Sequence, residues 1–159
     1  MAGAGKPAFM LDRTVTHRLH TLQNLTDRVS QVAYLADADM PISQGRCLAA
    51  VGAFSPLSVN ELASRANLDK GQASRAAQSL VEQGLVRKSA SATDGRGVVL
   101  TLTARGERAF GRVLAVIERR NAEMLACLDA AENKQLDHLL DRLVAQARAA
   151  ADGAVELDA

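Results

Sequence analysis

Hydrophobic residues recur at three- and four-residue spacing through most of the chain, and alternate with polar ones in one place only. From about Thr14 to Ala36 the positions Val15, Leu19, Leu22, Leu25, Val29 and Val32 form one seam, which predicts a long amphipathic helix. Asp37-Ala38-Asp39-Met40-Pro41 interrupts it, because proline has no N–H and holds the preceding residue extended. A shorter helix is expected from a Ser43 cap to Phe54, with Cys47, Leu48 and Val51 inward, then a link Ser55-Pro56-Leu57 that can form a first small strand. Ser58 and Glu61 have capping-box spacing, and Val59, Leu62, Ala63 and Ala66 continue a helix that Asn67 can end in a left-handed conformation. Asp69, with Gln72 three residues on, predicts a second box and another helix ending at Gly84. Strand-like alternation follows, from Leu85 to Lys88 and from Val98 to Thr103, around the small polar run 89–97. Two further helices are expected. One runs from about Ala104, capped by Thr103, to Asp129 with Phe110, Val113, Leu114, Ile117, Met124, Leu125 and Leu128; the other spans about Ala131 to Ala150.

The pattern therefore predicts a mainly helical fold: about six helices and one small hairpin, an α+β winged helix. The segment 58–103 concentrates the unusual chemistry. The helix after Asp69 has a narrow inner stripe of Ala73, Ala76, Ala77, Leu80 and Val81. Its other side carries Lys70, Gln72, Ser74, Arg75 and Gln78, with no acid until Glu82. Arg can bond guanine at two atoms, Gln can do so with adenine, and Ser accepts several partners. The hairpin tip holds Asp94 and Arg96, with Arg96 between two glycines. A carboxylate two residues away can hold that guanidinium extended, and a narrow A·T-rich minor groove attracts such an Arg.

The run PLSVNELASRANLDKGQASRAAQSLVEQGLVRK, followed by TDGRGVVLTLTARGE, resembles the MarR family of winged helix-turn-helix transcriptional regulators. The Asp94-x-Arg96 tip and Leu102-Thr103 before the next helix carry the resemblance most specifically, over about Ile42 to Phe110. It implies a double-stranded-DNA-binding homodimer on an inverted-repeat operator. Residues 42–110 would be the DNA-binding lobe, and residues 12–41 and 111–150 the dimerisation helices, between a disordered start (1–11) and tail (151–159). Gln72, Ser74, Arg75 and Gln78 would read bases; Lys70, Arg87 and Lys88 would bind phosphates; Arg96, steadied by Asp94, would enter the minor groove. Gly71, where the family often has a small hydroxyl residue, and Gly95, where it often has a basic one, depart from the pattern. The family also implies repression relieved by a small aromatic or phenolic effector in a cleft, where Arg46 or His20 would meet a carboxylate.

Composition narrows the alternatives. With 159 residues, 48% apolar and 3% aromatic, one compact unit with an aliphatic core is expected. The net charge of +1 excludes a general polycation. Yet residues 69–112 hold eight basic against four acidic side chains, and residues 113–159 five against nine, so positive charge gathers where phosphates would lie. No apolar run approaches the ~20 residues of a membrane span, and no export signal is visible, so a cytoplasmic protein is expected. His17 and His20 lack partners at metal-ligand spacing, so no metal or cofactor is expected. No nucleophile elbow, phosphate loop or metal box suggests an enzyme. Cys47 and Cys127 form no disulfide or metal pattern, and both are read as buried, inert thiols. The alternatives kept are a winged-helix module that binds protein and a regulator that senses oxidants through Cys47.

Overall fold

The computed structural model describes residues 10–91 and 97–155. The helices are α1 (Val15–Ala33), α2 (Ile42–Phe54), α3 (Val59–Ala66), α4 (Lys70–Glu82), α5 (Ala104–Leu125) and α6 (Ala130–Val155). The strands β1 (Val86–Ala90) and β2 (Val98–Leu102) pair antiparallel, with Val86 opposite Leu102 and Ala90 opposite Val98. Leu57 adds a single bridge to Leu100, the small strand expected in that link. Residues up to Arg120 form one compact unit and those from Asn121 another.

In the first unit, Leu48, Leu62, Leu80, Leu100, Val51, Val113, Val116 and Cys47 are fully buried. Ala73, Ala76 and Ala77 are the buried side of α4. Their lack of bulk lets the backbone of α4 lie close to its supports. Ser58 and Glu61 form the reciprocal capping box, and Asn67 ends α3 at φ 52°. Asp69 Oδ1 accepts from the Gln72 N–H at 2.8 Å. The reciprocal bond from the Gln72 side chain is not made, so the expected second box is a one-sided cap. Gly84, at φ +69°, makes the left-handed turn into β1 that a side chain would strain. Thr103 caps α5 as expected, its Oγ1 accepting from the Gly106 N–H at 3.0 Å. The same hydroxyl donates to the Gly84 carbonyl at 2.7 Å.

Several boundaries differ from the sequence reading. Regular α1 stops at Ala33 and widens into one π turn, Tyr34–Ala38, closed by Asp39 at φ 56°. Asp tolerates that left-handed geometry, so the chain reverses at Asp39 rather than by unravelling at Asp37. Ser43 is not the cap of α2. Pro41 is, in extended conformation, and the helix starts at Ile42, whose N–H donates to Gln31 Oε1 of α1 at 3.0 Å. α5 ends at Leu125, not Asp129, because Asp129 caps α6 instead: its Oδ1 accepts from the Ala131 and Glu132 N–H groups. Cys127 thereby falls in the intervening turn and is exposed, contrary to the expected buried thiol. α6 runs to Val155, so residues 151–155 of the expected disordered tail are helical. At the other end a 3-10 turn spans Leu11–Arg13.

In the first unit, the α1 seam of Val15, Leu19, Leu22, Leu25, Val29 and Val32 is between 48% and 67% exposed. In the second, Leu139, Leu140, Leu143 and Val144 of α6 are likewise exposed. No helix among the described residues is long and apolar enough to cross a membrane.

Candidate nucleic-acid interface

The outward face of α4 carries Lys70, Gln72, Ser74, Arg75 and Gln78, all exposed, over the buried alanine stripe. One short polar helix therefore projects from a firm support, as the sequence pattern requires. Arg87 and Lys88 stand exposed on β1. Asp94 and Arg96, the expected tip pair, lie outside the described residues. At Gly71, a Cβ would come within 3.3 Å of both Arg75 Nη1 and Asp69 Oδ1. The absent side chain thus leaves Arg75 room to lie back toward the start of α4.

Two sets of contacts position this face, and their links between elements were not legible in the sequence. Behind it, Gln44 of α2 donates to Ser79 Oγ at 3.1 Å and accepts from Gln83 Nε2 at 2.9 Å. Gln83 Nε2 also reaches Ser79 Oγ at 3.0 Å, closing a half-buried ring that fixes the C-terminal half of α4 to α2. On the face itself, Lys88 Nζ donates to Gln78 Oε1 and Gln78 Nε2 donates to Glu82 Oε1, both at 2.9 Å. The structure thus brings together Gln78 and Lys88, which the sequence had separated into base and phosphate roles. An open polar hollow of about 410 Å³ beside α4 is lined by Ser43, Gln44, Gln72, Arg75 and Ala76.

A second hollow, about 290 Å³, lies farther along α2, toward its C-terminal end. Its walls include Tyr34, Arg46, Ala49, Phe54, Arg65 and Ile117. The Arg65 guanidinium sits 4.6 Å from the Phe54 ring centroid, a cation–π contact. Arg46 is ion-paired with Asp27 of α1. Burial pushes the Tyr34 hydroxyl above its ordinary range; Arg46 pulls the other way and Asp27 adds to the rise. His20 is exposed on α1 and is not among these walls. Tyr34, Phe54 and Arg65 were missed in the sequence because they come from three different elements.

Cys47 is fully buried, and burial pushes its thiol from 9 to about 11. It is held as the protonated thiol, the less reactive form, which weighs against a sensor at this residue. Among the described residues, no group of three or more His, Cys, Asp and Glu side chains converges on a metal position.

Comparison with known proteins bears on the family and the fold. The family model described as MarR family matches residues 38–97. The repressor Rv2887 of Mycobacterium tuberculosis is 30% identical over 111 residues, which is 70% of this chain and 80% of that protein. The regulator BilQ of Clostridium symbiosum is 31% identical over 93 residues, 58% of this chain and 65% of its own length. Rv2887 in complex with salicylic acid superimposes with a TM-score of 0.68 at 28% identity, covering 83% of this chain and 97% of that one. A MarR/EmrR regulator from Acinetobacter sp. ADP1 reaches a TM-score of 0.79 at 24% identity over 88% of this chain and 99% of the other, and so shares the fold. An exposed polar helix on an alanine bed, a two-stranded wing and these relatives lead to one conclusion: the chain belongs to the MarR family of winged helix-turn-helix DNA-binding transcriptional regulators, not to an enzyme family.

Proposed function

We propose that the protein is a cytoplasmic homodimeric repressor that occupies an inverted-repeat operator and leaves it when a small aromatic acid binds. The observation that carries this reading is the exposed Gln72, Ser74, Arg75 and Gln78 face, set on buried alanines. Two copies of α4 would enter successive major grooves about 34–36 Å apart. In that docking Gln72, Ser74, Arg75 and Gln78 read base edges. Lys70, Arg87 and Lys88 bind phosphates, and the tip Arg96 with Asp94 reaches the minor groove. The exposed apolar rows of α1 and of α6 supply dimerisation surfaces, because leaving both in water is unfavourable.

The 290 Å³ hollow is the effector site in this reading. It offers an aromatic platform at Phe54, a hydroxyl at Tyr34 and two guanidinium groups, Arg46 and Arg65, which suits a ring bearing a carboxylate. The salicylic acid complex of Rv2887 supports the class of ligand. Arg46, one of the residues expected to meet it, lines this hollow, which supports the reading.

Selection of bound genomic fragments tests the DNA half of the reading: an inverted repeat recovered in a promoter is expected. Titration of the bound operator with salicylate tests the other half, with release expected. Recovery of random fragments would overturn the first, and tight operator binding in saturating aromatic acids would overturn the second.

A further inference from the structure

The contacts around Gln78 do more than crowd it. A carboxamide can point either way round, and its two orientations present mirror-ordered donor and acceptor atoms to a base. Here the partners decide between them. Lys88 Nζ has hydrogens only to give, so the atom 2.9 Å from it must be Oε1. The Glu82 carboxylate only accepts, so the atom 2.9 Å from it must be Nε2. Turning the amide over would set oxygen against carboxylate and NH2 against ammonium, two repulsive pairs. Each partner uses one site. One Nε2 hydrogen and one Oε1 lone pair remain, and these are the two that adenine N7 and N6 require.

We propose that Lys88 and Glu82 are positioning residues that lock the Gln78 amide in one orientation, and so decide on which strand of the operator it reads adenine. The proposal rests on the reading above that Gln78 faces base edges. Its parts come from separate elements: Gln78 and Glu82 stand one helical turn apart on α4, and Lys88 reaches across from β1. The wing's first strand therefore contributes to base choice without touching a base. Lys88 keeps two further N–H groups for phosphate, so the locking role adds to its electrostatic one.

The test measures binding to operator duplexes carrying each base pair in turn at every half-site position, for the full-length protein and its variants. Wild type is expected to prefer A·T over T·A at one position by roughly 5- to 150-fold, the range of a bidentate contact. Gln78→Ala should abolish that preference. Glu82→Ala or Lys88→Met alone should reduce it, each leaving one partner to orient the amide. The double variant should bring it below about 3-fold while preferences at the other positions persist, because both amide orientations then become available. Glu82→Gln, which still offers an acceptor, should keep most of it. The ratio at one position is the readout because overall affinity would also change with charge, falling when Lys88 is lost and rising when Glu82 is. All three side chains are exposed, so these changes leave the core intact. Unchanged A·T preference in the Glu82→Ala, Lys88→Met double variant, with Gln78→Ala losing it, would overturn the lock alone. Unchanged preference in Gln78→Ala would overturn the base-reading role and the lock with it.

Discussion

A single side chain is decided here by what surrounds it more than by its type. Cys47 and Cys127 read alike in sequence, yet one has no exposure and the other lies in an open turn. A thiol reagent should label one cysteine per native chain, Cys127, and two after denaturation; rapid labelling of both in the native protein would contradict the burial of Cys47. The raised thiol pKa also sets a pH dependence. The folded chain holds the Cys47 proton more tightly than the unfolded one, so its contribution to stability is intact below pH 9. It is lost as pH rises toward about 11. The stability difference between wild type and Cys47→Ala, followed by denaturant melts, should therefore narrow across that interval. Arg75 illustrates the same dependence on place. Arg75→Ala should cost about 1–3 kcal/mol on the operator and relax one base position, whereas Lys70→Ala should weaken all duplexes alike and lower the salt slope by about 1. Anisotropy titrations on specific and random DNA separate the two outcomes.

At the scale of the element, the caps carry the pattern. Replacing Asp69 with Ala removes the acceptor of the Gln72 N–H at the start of the reading helix. The expected loss is about 0.5–2 kcal/mol of stability, measured by thermal melting. Glu61 tells the same story with a sign. Its bond to the Ser58 N–H holds its carboxyl below the usual range, so that cap contributes at neutral pH and weakens as pH falls through the lowered value. Ser58, Glu61, Asn67, Asp69 and Gly84 were legible because each acts within four residues of itself. Pro41 in place of Ser43 was not, because the N–H that starts α2 is satisfied by Gln31, eleven residues back. The π turn at Tyr34–Ala38 was hidden for a related reason. Tyr34 is buried against Gly45, where any Cβ would run into its ring, and that packing is tertiary. The Gln44 bonds to Ser79 and Gln83 and the Lys88 bond to Gln78 likewise join residues whose separation in sequence carries no period.

For the whole molecule, the question is what covers the exposed rows on α1 and α6. Leu22→Glu or Leu143→Glu should shift the protein toward a monomer in sedimentation at micromolar concentration, and should weaken binding to an inverted repeat far more than to a half-site. A monomeric wild type in the same experiment would remove the geometric basis for paired groove contacts. Charge works at this scale too. Residues 69–112, which include the polar helix, hold eight basic side chains against four acidic ones, while acids dominate from residue 113 onward. Affinity for DNA should fall steeply with salt despite a net charge of only +1, because the local surface and not the total meets the phosphates.

The Thr103 hydroxyl has a mechanical consequence. It is bonded at once to the carbonyl of Gly84, just past the end of α4, and to the N–H of Gly106, in the first turn of α5. Gly106 lies so close beneath the Leu85 carbonyl that no side chain fits between them. One oxygen thus pins the first turn of α5 to the base of the wing, so a tilt at the start of α5 is expected to carry the Gly84–Leu85 corner with it.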